Sequence, residues 1–277
     1  MKKLFFLCLI LATCLFMATS PAFSAPKDVA AKQIDNAFFA KMPNPLVSQE
    51  IEGLTVDQAY EIQDEVVKLR EGKGEVVFGY KAGLTSAPAQ KKFGAKEAVR
   101  GTLFKSMLRW PGRLYKKDFI RMFIETEIGF RFGKDITEPV DDIKSLKKAV
   151  SIVFPAIELP DIAFTDMKKI KVTDLIATNV AARKVLIGDA VRVKDLNAVS
   201  VKLFHNGQEI TSGLGKNALG DQWEALKWVV NDVLTRGGEI KNGYVVITGC
   251  ISRLLPAKPG KYVADYGDFG KIEFEYK

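Results

Sequence analysis

Apolar and polar residues alternate from Phe119 to Phe132, which is the pattern of a β-strand. Side chains two positions apart on a strand point to the same face. One face of this strand is nearly all apolar and is expected to be buried; it consists of Ile120, Met122, Ile124, Thr126, Ile128, Phe130 and Phe132. The opposite face carries Glu125 and Glu127, with an arginine towards each end. The pattern therefore places two negative charges side by side within an apolar stretch.

Two interpretations of Glu125 and Glu127 follow from this stretch. In one, they lie on a solvated face and form cross-strand ion pairs, each of which contributes little to stability. In the other, they line a cleft in which both carboxylates hold one hard cation, because cations such as Mg²⁺ take oxygen ligands. The alternation alone favours the solvated face.

The rest of the chain predicts a small helical region followed by many short strands. Asp57–Leu69 has helical periodicity, with Thr55 as N-cap and Gly72 as the stop. Two further stretches, Asp174–Leu186 and Asp221–Arg236, are predicted to be helices. The predicted strands besides Phe119–Phe132 are Val76–Tyr80, Val150–Leu159, Ala198–Phe204, Tyr244–Thr248, Tyr262–Tyr266 and Lys271–Tyr276. This order favours the α+β class, with a mostly β barrel or roll and a helical N-terminal region.

The N-terminal residues have the pattern of a secretory signal peptide. Lys2 and Lys3 precede an apolar run that extends to about Met17, and small residues follow as far as Ala25. A lipoprotein signal at Cys14 is a minor alternative. The mature protein is expected in the periplasm or outside the cell, with no membrane insertion after cleavage. The predicted organisation is a signal peptide at 1–24, a helical region at 25–75 and a metal-binding β-roll at 76–277.

Charge, cysteine and histidine usage exclude several kinds of function. The formal net charge is +8, and removal of Lys2 and Lys3 lowers it to +6. We see no basic stripe with interleaved aromatic residues, so nucleic acid is not an expected partner. After signal cleavage Cys250 is the lone cysteine, which rules out an intrachain disulfide. The single histidine, His205, lies in a predicted hairpin turn, which disfavours histidine-rich zinc sites and histidine-dependent triads.

A third carboxylate, Glu158, ends another apolar run within VFPAIELPDIAF, residues 153–164. Two acids from one strand and a third from a neighbouring strand can form a facial triad for a divalent cation. Any chemistry in this chain is therefore expected to depend on carboxylates and lysines.

Several segments in order make the chain similar to a known family. It resembles the 2-keto-4-pentenoate hydratases and related 2-keto-acid decarboxylases of the fumarylacetoacetate hydrolase superfamily, from about Ala59 to the C-terminus. The matching segments are GYKAGLTSAPAQKKFGA (79–95), GTLFKSM (101–107), IETEIGF (124–130), AIELPDIAF (156–164), IATNVAARKVLIG (176–188), SGLGKNALGDQWEALKWV (212–229) and YVVITGCIS (244–252).

The resemblance implies a function for the acids. Glu125, Glu127 and Glu158 would bind Mg²⁺ or Mn²⁺, and the metal would stabilise negative charge on the 2-keto oxygen of a small keto acid. Lys81 would be the catalytic residue, holding the substrate carboxylate or transferring a proton. A homo-oligomer is also expected. The substrate-binding residues implied are Leu84, Ser106, Asn179 and Thr248.

The sequence departs from the family pattern at polar positions. Ser106 replaces the aspartate of G-x-L-x-x-D-M, while Thr178, Ala181 and Ala182 replace the aspartate and serines of a segment that normally reads A-D-N-A-S-S. Two functions remain open: a secreted metal-dependent enzyme that hydrates, decarboxylates or cleaves a keto acid, and a non-catalytic periplasmic protein that binds a keto acid or the metal. A glycosidase with paired carboxylates is a third and weaker alternative.

We predict that the exported protein begins at Ala25, because the basic, apolar and small segments end at Ser24. N-terminal sequencing of secreted material measures this directly. A mature protein that retains Met1, or that starts with a lipidated Cys14, contradicts the prediction.

Overall fold

The computed structural model describes residues 24–191 and 194–277. The predicted signal peptide lies outside these residues, apart from Ser24. Among the described residues, no helix combines the length and the apolar character needed to cross a membrane.

The N-terminal region forms helices α1 (Ser24–Ala40), α2 (Val47–Glu50) and α3 (Val56–Glu71). The predicted start and stop of the last helix are confirmed. The Thr55 hydroxyl accepts from the Gln58 N–H at 3.2 Å, the Gln58 side chain accepts from the Thr55 N–H at 3.0 Å, and Gly72 is the C-cap. These helices share one hydrophobic core with α6 (Val172–Ala177), so they pack on the rest of the protein.

Within the described residues the strands form two sheets of mixed direction, which confirms the α+β class. The strands are β1 (Val77–Gly83), β2 (Val99–Phe104), β3 (Leu108–Arg109), β4 (Arg113–Leu114), β5 (Phe123–Phe132), β6 (Val150–Leu159), β7 (Lys184–Ile187), β8 (Ser200–His205), β9 (Gln208–Leu214), β10 (Val245–Ile247), β11 (Leu255–Pro256), β12 (Gly260–Asp265) and β13 (Lys271–Tyr276). The larger sheet has the order β2-β1-β10-β5-β6-β7-β3, with β11 paired to β5, and the smaller has the order β4-β13-β12-β8-β9.

Helices α4 (Ala87–Phe93), α5 (Ile143–Ala149) and α7 (Gln222–Thr235) complete the fold. The apolar stripe of α7 is core, as predicted, because Leu226, Val229, Val230 and Val233 are fully buried. The Asp221 side chain caps the start of α7 by accepting from two backbone N–H groups. The hairpin at His205 is also confirmed, with Asn206 and Gly207 both at positive φ between β8 and β9.

The predicted helix Asp174–Leu186 is wrong in its second half. Helix α6 ends at Ala177, and a 3-10 turn follows with φ of 58°, 51° and 55° at Asn179, Val180 and Ala181. Left-handed residues cannot continue a right-handed helix. Residues Lys184–Ile187 instead form β7, which pairs with β6.

The strand predicted to span Phe119–Phe132 begins at Phe123, four residues later than predicted. The Asp161 carboxylate accepts from the backbone N–H groups of Ile120 and Arg121, so this segment bonds to a side chain rather than to a sheet. Ile120 is consequently 40 % exposed, although the alternation predicted that it would be buried.

We predict that Gly79→Ala destabilises the fold. Gly79 has φ of +151°, and an added Cβ would lie 1.7 Å from the carbonyl oxygen of Val245 on β10. The Val245 carbonyl belongs to the backbone of a paired strand and cannot move away from the added Cβ, so the free energy of unfolding should fall by about 1–3 kcal/mol. For a chain of this size that lowers the melting midpoint by roughly 2–12 °C. Gly112→Ala is the matched control, since its Cβ would meet nothing within 4 Å. Equal midpoints for the two variants would contradict the prediction.

Candidate metal centre

Strands β5 and β6 bring three carboxylates together. They pair antiparallel with Glu125 directly opposite Glu158, and Glu127 lies two residues along the same face of β5. Each of the three side chains has an oxygen within 4.8 Å of the others. Glu127 and Glu158 are fully buried and Glu125 is half-buried. The interpretation of a solvated strand face is therefore wrong for this pair of glutamates.

Burial and mutual repulsion make these carboxyl groups hard to ionise in the absence of a cation. Burial is the main cause that raises the pKa of Glu125 to about 8, and the Glu158 charge adds to it while Lys81 opposes it. The pKa of Glu127 is likewise raised, first by burial and then by the charges of Glu158 and Glu125. A bound cation would favour the ionised forms of these carboxyl groups and so remove the cost of ionising them.

Lys81 reaches the cluster from a third strand. It lies on β1, which pairs with β10, and β10 in turn pairs with β5. Its ammonium nitrogen is 2.9 Å from Oε1 and 3.0 Å from Oε2 of Glu158, and the residue is 2 % exposed. Burial alone would lower the pKa of Lys81, but the charges of Glu158, Glu125 and Glu127 outweigh it and raise the pKa. One ammonium therefore faces three carboxylates.

The oxygen atoms of the cluster fit a hard divalent cation. Glu127 Oε2 accepts from the backbone N–H of Gly249 at 2.6 Å. Its other oxygen, Oε1, is buried and has no hydrogen-bond partner among the described residues. An unpaired buried carboxylate oxygen is costly, and oxygen-only ligand sets are the kind that Mg²⁺ and Mn²⁺ prefer. Glu125, Glu127 and Glu158 are the residues that would hold such an ion.

The turn that follows β10 fixes the position of Glu127. Gly249 has φ of +100°, and a Cβ there would lie 2.4 Å from the Thr85 hydroxyl oxygen, so only glycine allows this approach. Thr248 is buried, and its hydroxyl lies 2.5 Å from Gln222 Oε1 and 3.1 Å from the Ile128 carbonyl oxygen.

Burial, followed by the Glu125 and Glu127 charges, raises the pKa of the Cys250 thiol well above its usual value. This keeps the thiol protonated beside the cluster.

Leu84 lies close to Lys81 along the chain, and Asn179 lies close to it in space. Leu84 has φ of 54° and follows β1, and its carbonyl accepts from the Gln90 side chain at 3.0 Å. The Asn179 amide bonds both backbone groups of Thr102, at 2.6 and 2.8 Å. A Cβ at Gly101 would lie 2.9 Å from the Asn179 carbonyl oxygen and 3.3 Å from Cε of Lys81. The amide of Asn179 and the hydroxyl of Thr248 are thus already used in holding the fold, and their predicted contact with substrate stays a prediction.

The fold does not bring Ser106 to the cluster. Ser106 lies in an exposed 3-10 turn after β2, and its hydroxyl donates to Glu75 at 2.6 Å. In the β1–β2 pairing Lys81 is opposite Gly101, whereas Lys105 bonds Val76 at the other end of β1. Within this chain, Ser106 therefore lies at the far end of β1 from Lys81, and its predicted contact with substrate stays a prediction.

Sequence reasoning missed two groups beside the carboxylates. One is the backbone N–H of Gly249, and the other is Thr85, which packs on that glycine. The segments that contain them match the family pattern, but a pattern of side chains does not show which backbone N–H points at a carboxylate.

Comparison with known proteins identifies the relatives of this chain. A 2-hydroxyhexa-2,4-dienoate hydratase of Comamonas testosteroni is 33% identical over 214 residues, which cover 75% of this chain and 80% of the hydratase. A 2-keto-4-pentenoate hydratase of Paraburkholderia xenovorans is 27% identical over 256 residues, which cover 91% of this chain and 95% of the relative. No family model matches the chain.

A solved structure shares the fold. The 4-oxalocrotonate decarboxylase of Pseudomonas putida G7, in complex with magnesium and adipate, superposes with a TM-score of 0.86 at 23% identity, covering 92% of this chain and 98% of the decarboxylase. The fold is therefore that of this decarboxylase, and a structure named as a fumarylacetoacetate hydrolase family protein shares it over 72% of the chain with a TM-score of 0.55. The chain belongs to the family of 2-keto-4-pentenoate hydratases and related 2-keto-acid decarboxylases, which confirms the resemblance found in the sequence.

Proposed function

We propose that this protein is a lyase that depends on a divalent metal and acts on a small 2-keto carboxylate by hydration or decarboxylation. The observation that carries the proposal is the buried cluster of Glu125, Glu127 and Glu158 with the Lys81 ammonium against it. The hydratase relatives and the magnesium in the related decarboxylase structure support it.

The three carboxylates would hold Mg²⁺ or Mn²⁺. When bound, the metal supplies a Lewis acid that stabilises negative charge on the 2-keto oxygen of the substrate. Glu127 is held in place by the Gly249 N–H, which leaves its buried Oε1 to face the ion. Because β5 and β6 are adjacent antiparallel strands, Glu125 and Glu158 are held opposite each other without any loop. Such placement on strands gives the preorganisation that a catalytic site needs.

Lys81 would bind and orient the substrate carboxylate, or carry a proton to or from the reacting carbon. Its ammonium is the positive charge in contact with the cluster. Gly101 lies opposite it on β2, and a Cβ there would come within 3.3 Å of both Cγ and Cε of Lys81. Because Gly101 has no side chain, a channel is open in which Lys81 extends towards Glu158.

A non-catalytic protein that binds a keto acid or the metal is the second candidate. The Thr178 hydroxyl donates to the carbonyls of its own helix, at 2.8 Å to Asp174. Ala181 and Ala182 are buried and offer no polar side-chain atoms. These residues stand where the family carries an aspartate and serines, so the turn next to Lys81 supplies fewer groups for proton transfer. We also propose that either function is carried out after export, on the signal-like pattern of residues 1–24.

We predict that a divalent cation stabilises the folded protein. Metal binds the folded chain and not the unfolded one, which cannot hold the three carboxylates together. At about 100 times the dissociation constant this linkage contributes roughly 2.7 kcal/mol. Adding Mg²⁺ or Mn²⁺ to chelator-treated protein should then raise the melting midpoint by roughly 5–10 °C. Differential scanning calorimetry or a thermal shift assay measures it.

Glu127→Gln is the matched variant for this measurement, because the amide keeps the shape of the side chain but not its charge. It should lose most of the metal-induced shift, and its metal-free midpoint should not fall, since a neutral amide replaces a buried group that is costly to ionise. Equal metal shifts in wild type and Glu127→Gln would show that the cluster is not the metal site.

We predict that turnover of 2-keto-4-pentenoate or 4-oxalocrotonate depends on Lys81. Lys81→Ala should lower kcat by roughly two orders of magnitude or more, the usual effect of a positioned proton-transfer group. Lys91→Ala on α4 is the control, because Lys91 is exposed and near in sequence. Undiminished turnover in a folded Lys81→Ala protein rules out the role. A wild type that shows the metal shift but turns over neither substrate favours the binding protein.

A further inference from the structure

Two arginines approach one aromatic ring beneath the N-terminal helices. Arg70 on α3 is 2 % exposed, and its guanidinium carbon lies 3.7 Å from the centre of the Phe38 ring. The guanidinium carbon of Arg183, which precedes β7, lies 4.2 Å from the same ring centre. Each cation gains from the ring, but the two like charges also repel each other. The arrangement therefore concentrates positive charge in a buried place.

The protein compensates the Arg70 charge incompletely. The nearest carboxylate oxygen, Asp35 Oδ1, is 3.5 Å from Arg70 Nε, which is too long for a good hydrogen bond. The same carboxylate also pairs with Lys73 through its other oxygen. Among the described residues, Arg70 Nε and Nη1 have no hydrogen-bond partner. Burial lowers the pKa of Arg70 to about 10 despite the opposing charge of Asp35.

Arg183 is no better compensated. Within the described residues it forms no ion pair closer than 4 Å, and its N–H groups donate to the backbone carbonyls of Asp118 and Phe38, each at 3.2 Å. Asp161 lies in the same region, but its oxygens already accept from the backbone N–H groups of Ile120 and Arg121. The charges of Asp161 and Asp118 offset part of the effect of burial, which lowers the pKa of Arg183. Two guanidinium groups thus share one small space with the Asp161 carboxylate, whose two oxygens are already hydrogen-bonded to backbone.

A cavity of about 20 Å³ lies between these groups. Its walls include Phe38, Arg70, Asp161, Thr178, Ala182 and Arg183. A space of roughly 10–15 Å³ already holds one water molecule, so this cavity admits a single small species. A water could satisfy a free N–H, but it brings no negative charge. Neither Lys81 nor the three glutamates line the cavity, which is therefore distinct from the candidate metal centre.

We propose that this cavity is a second binding site, for one small monovalent anion held between Arg70 and Arg183. The volume fits a halide, and it also admits the carboxylate end of a very small acid such as formate. The unpartnered Nη1 of Arg70 supplies a buried charged donor, and Arg183 supplies the second positive charge. Charge-assisted contacts of this kind are among the stronger polar interactions in proteins. The proposal is independent of the keto-acid function.

The direct test is a crystal of the full chain grown or soaked in sodium bromide. We expect an anomalous bromide peak in the cavity, in contact with the Arg70 guanidinium. A peak of ordinary water density there, with no anomalous signal, contradicts a halide site. A parallel soak in sodium formate separates the two sources: formate density without bromide assigns the site to carboxylates, and neither ion in the cavity overturns the proposal.

A solution measurement tests the same site without crystals. The melting midpoint of wild type should be higher in sodium chloride, bromide or formate than in sodium gluconate at equal ionic strength, because gluconate is too large to enter. Arg183→Gln should remove this difference. Arg236→Gln is the matched control, since Arg236 stacks on Tyr60 at 4.0 Å and pairs with Asp232 on another part of the surface, and it should keep the difference. An equal anion effect in wild type and Arg183→Gln overturns the proposal.

Discussion

The burial of Glu127 and Glu158 in the sheet is the constraint on which the rest of the site depends. An isolated buried carboxylate is expensive, and two neighbours of like charge make it more so. The sheet does not avoid this cost, because the β5–β6 register sets Glu125 opposite Glu158 and puts Glu127 on the same face. It offsets part of the cost with one ammonium and one backbone N–H, from Lys81 and Gly249. The cost of ionisation that remains is what a bound cation would remove.

Close backbone approaches make that partial compensation possible. Lys81 reaches Glu158 because β1 lies beside β10 and parallel to it. Gly79 allows the two strands to approach, since a Cβ at this position would clash with the Val245 carbonyl oxygen. Gly249 lets the turn after β10 press against Thr85 and aim its N–H at Glu127. On β5 itself, Gly129 makes room for the Phe154 ring, which lies 2.1 Å from where a Cβ would be. Each of these glycines allows a neighbouring backbone or side-chain group to take the space of a side chain.

Local rules predicted much of the fold. The alternation in β5, the capping box at Thr55, the Asn206-Gly207 turn and the apolar stripe of α7 all depend on neighbours within a few residues, and the structure has them. The helix at Asp174–Leu186 was wrong because a left-handed turn at Asn179–Ala181 interrupts it, and residues such as valine and alanine do not signal that turn. Residues 184–187 then join the sheet because β6 offers a partner, which is a tertiary effect that periodicity does not reveal.

The site was predicted only in part, because its residues are brought together by tertiary structure that local patterns do not show. The two-residue spacing of Glu125 and Glu127 shows a shared face, but not whether that face meets water or protein. Glu158 was a candidate because it ends another apolar run, whereas the role of Lys81 came from the family resemblance, since that residue lies on a strand remote in sequence. The order of motifs along a chain does not show which end of β1 a residue reaches, so the position of Ser106 away from Lys81 is seen only in the fold. The Gly249 N–H has no side-chain pattern at all, so only the fold shows its contact with Glu127.

The turn at Asn179–Ala181 connects the two charged regions of the protein. On one side, the Asn179 amide bonds the Thr102 backbone and its carbonyl lies over the channel that holds Lys81. On the other side, Ala181 and Ala182 line the cavity between Arg70 and Arg183. A species bound in that cavity would therefore contact the same short segment that positions the lysine.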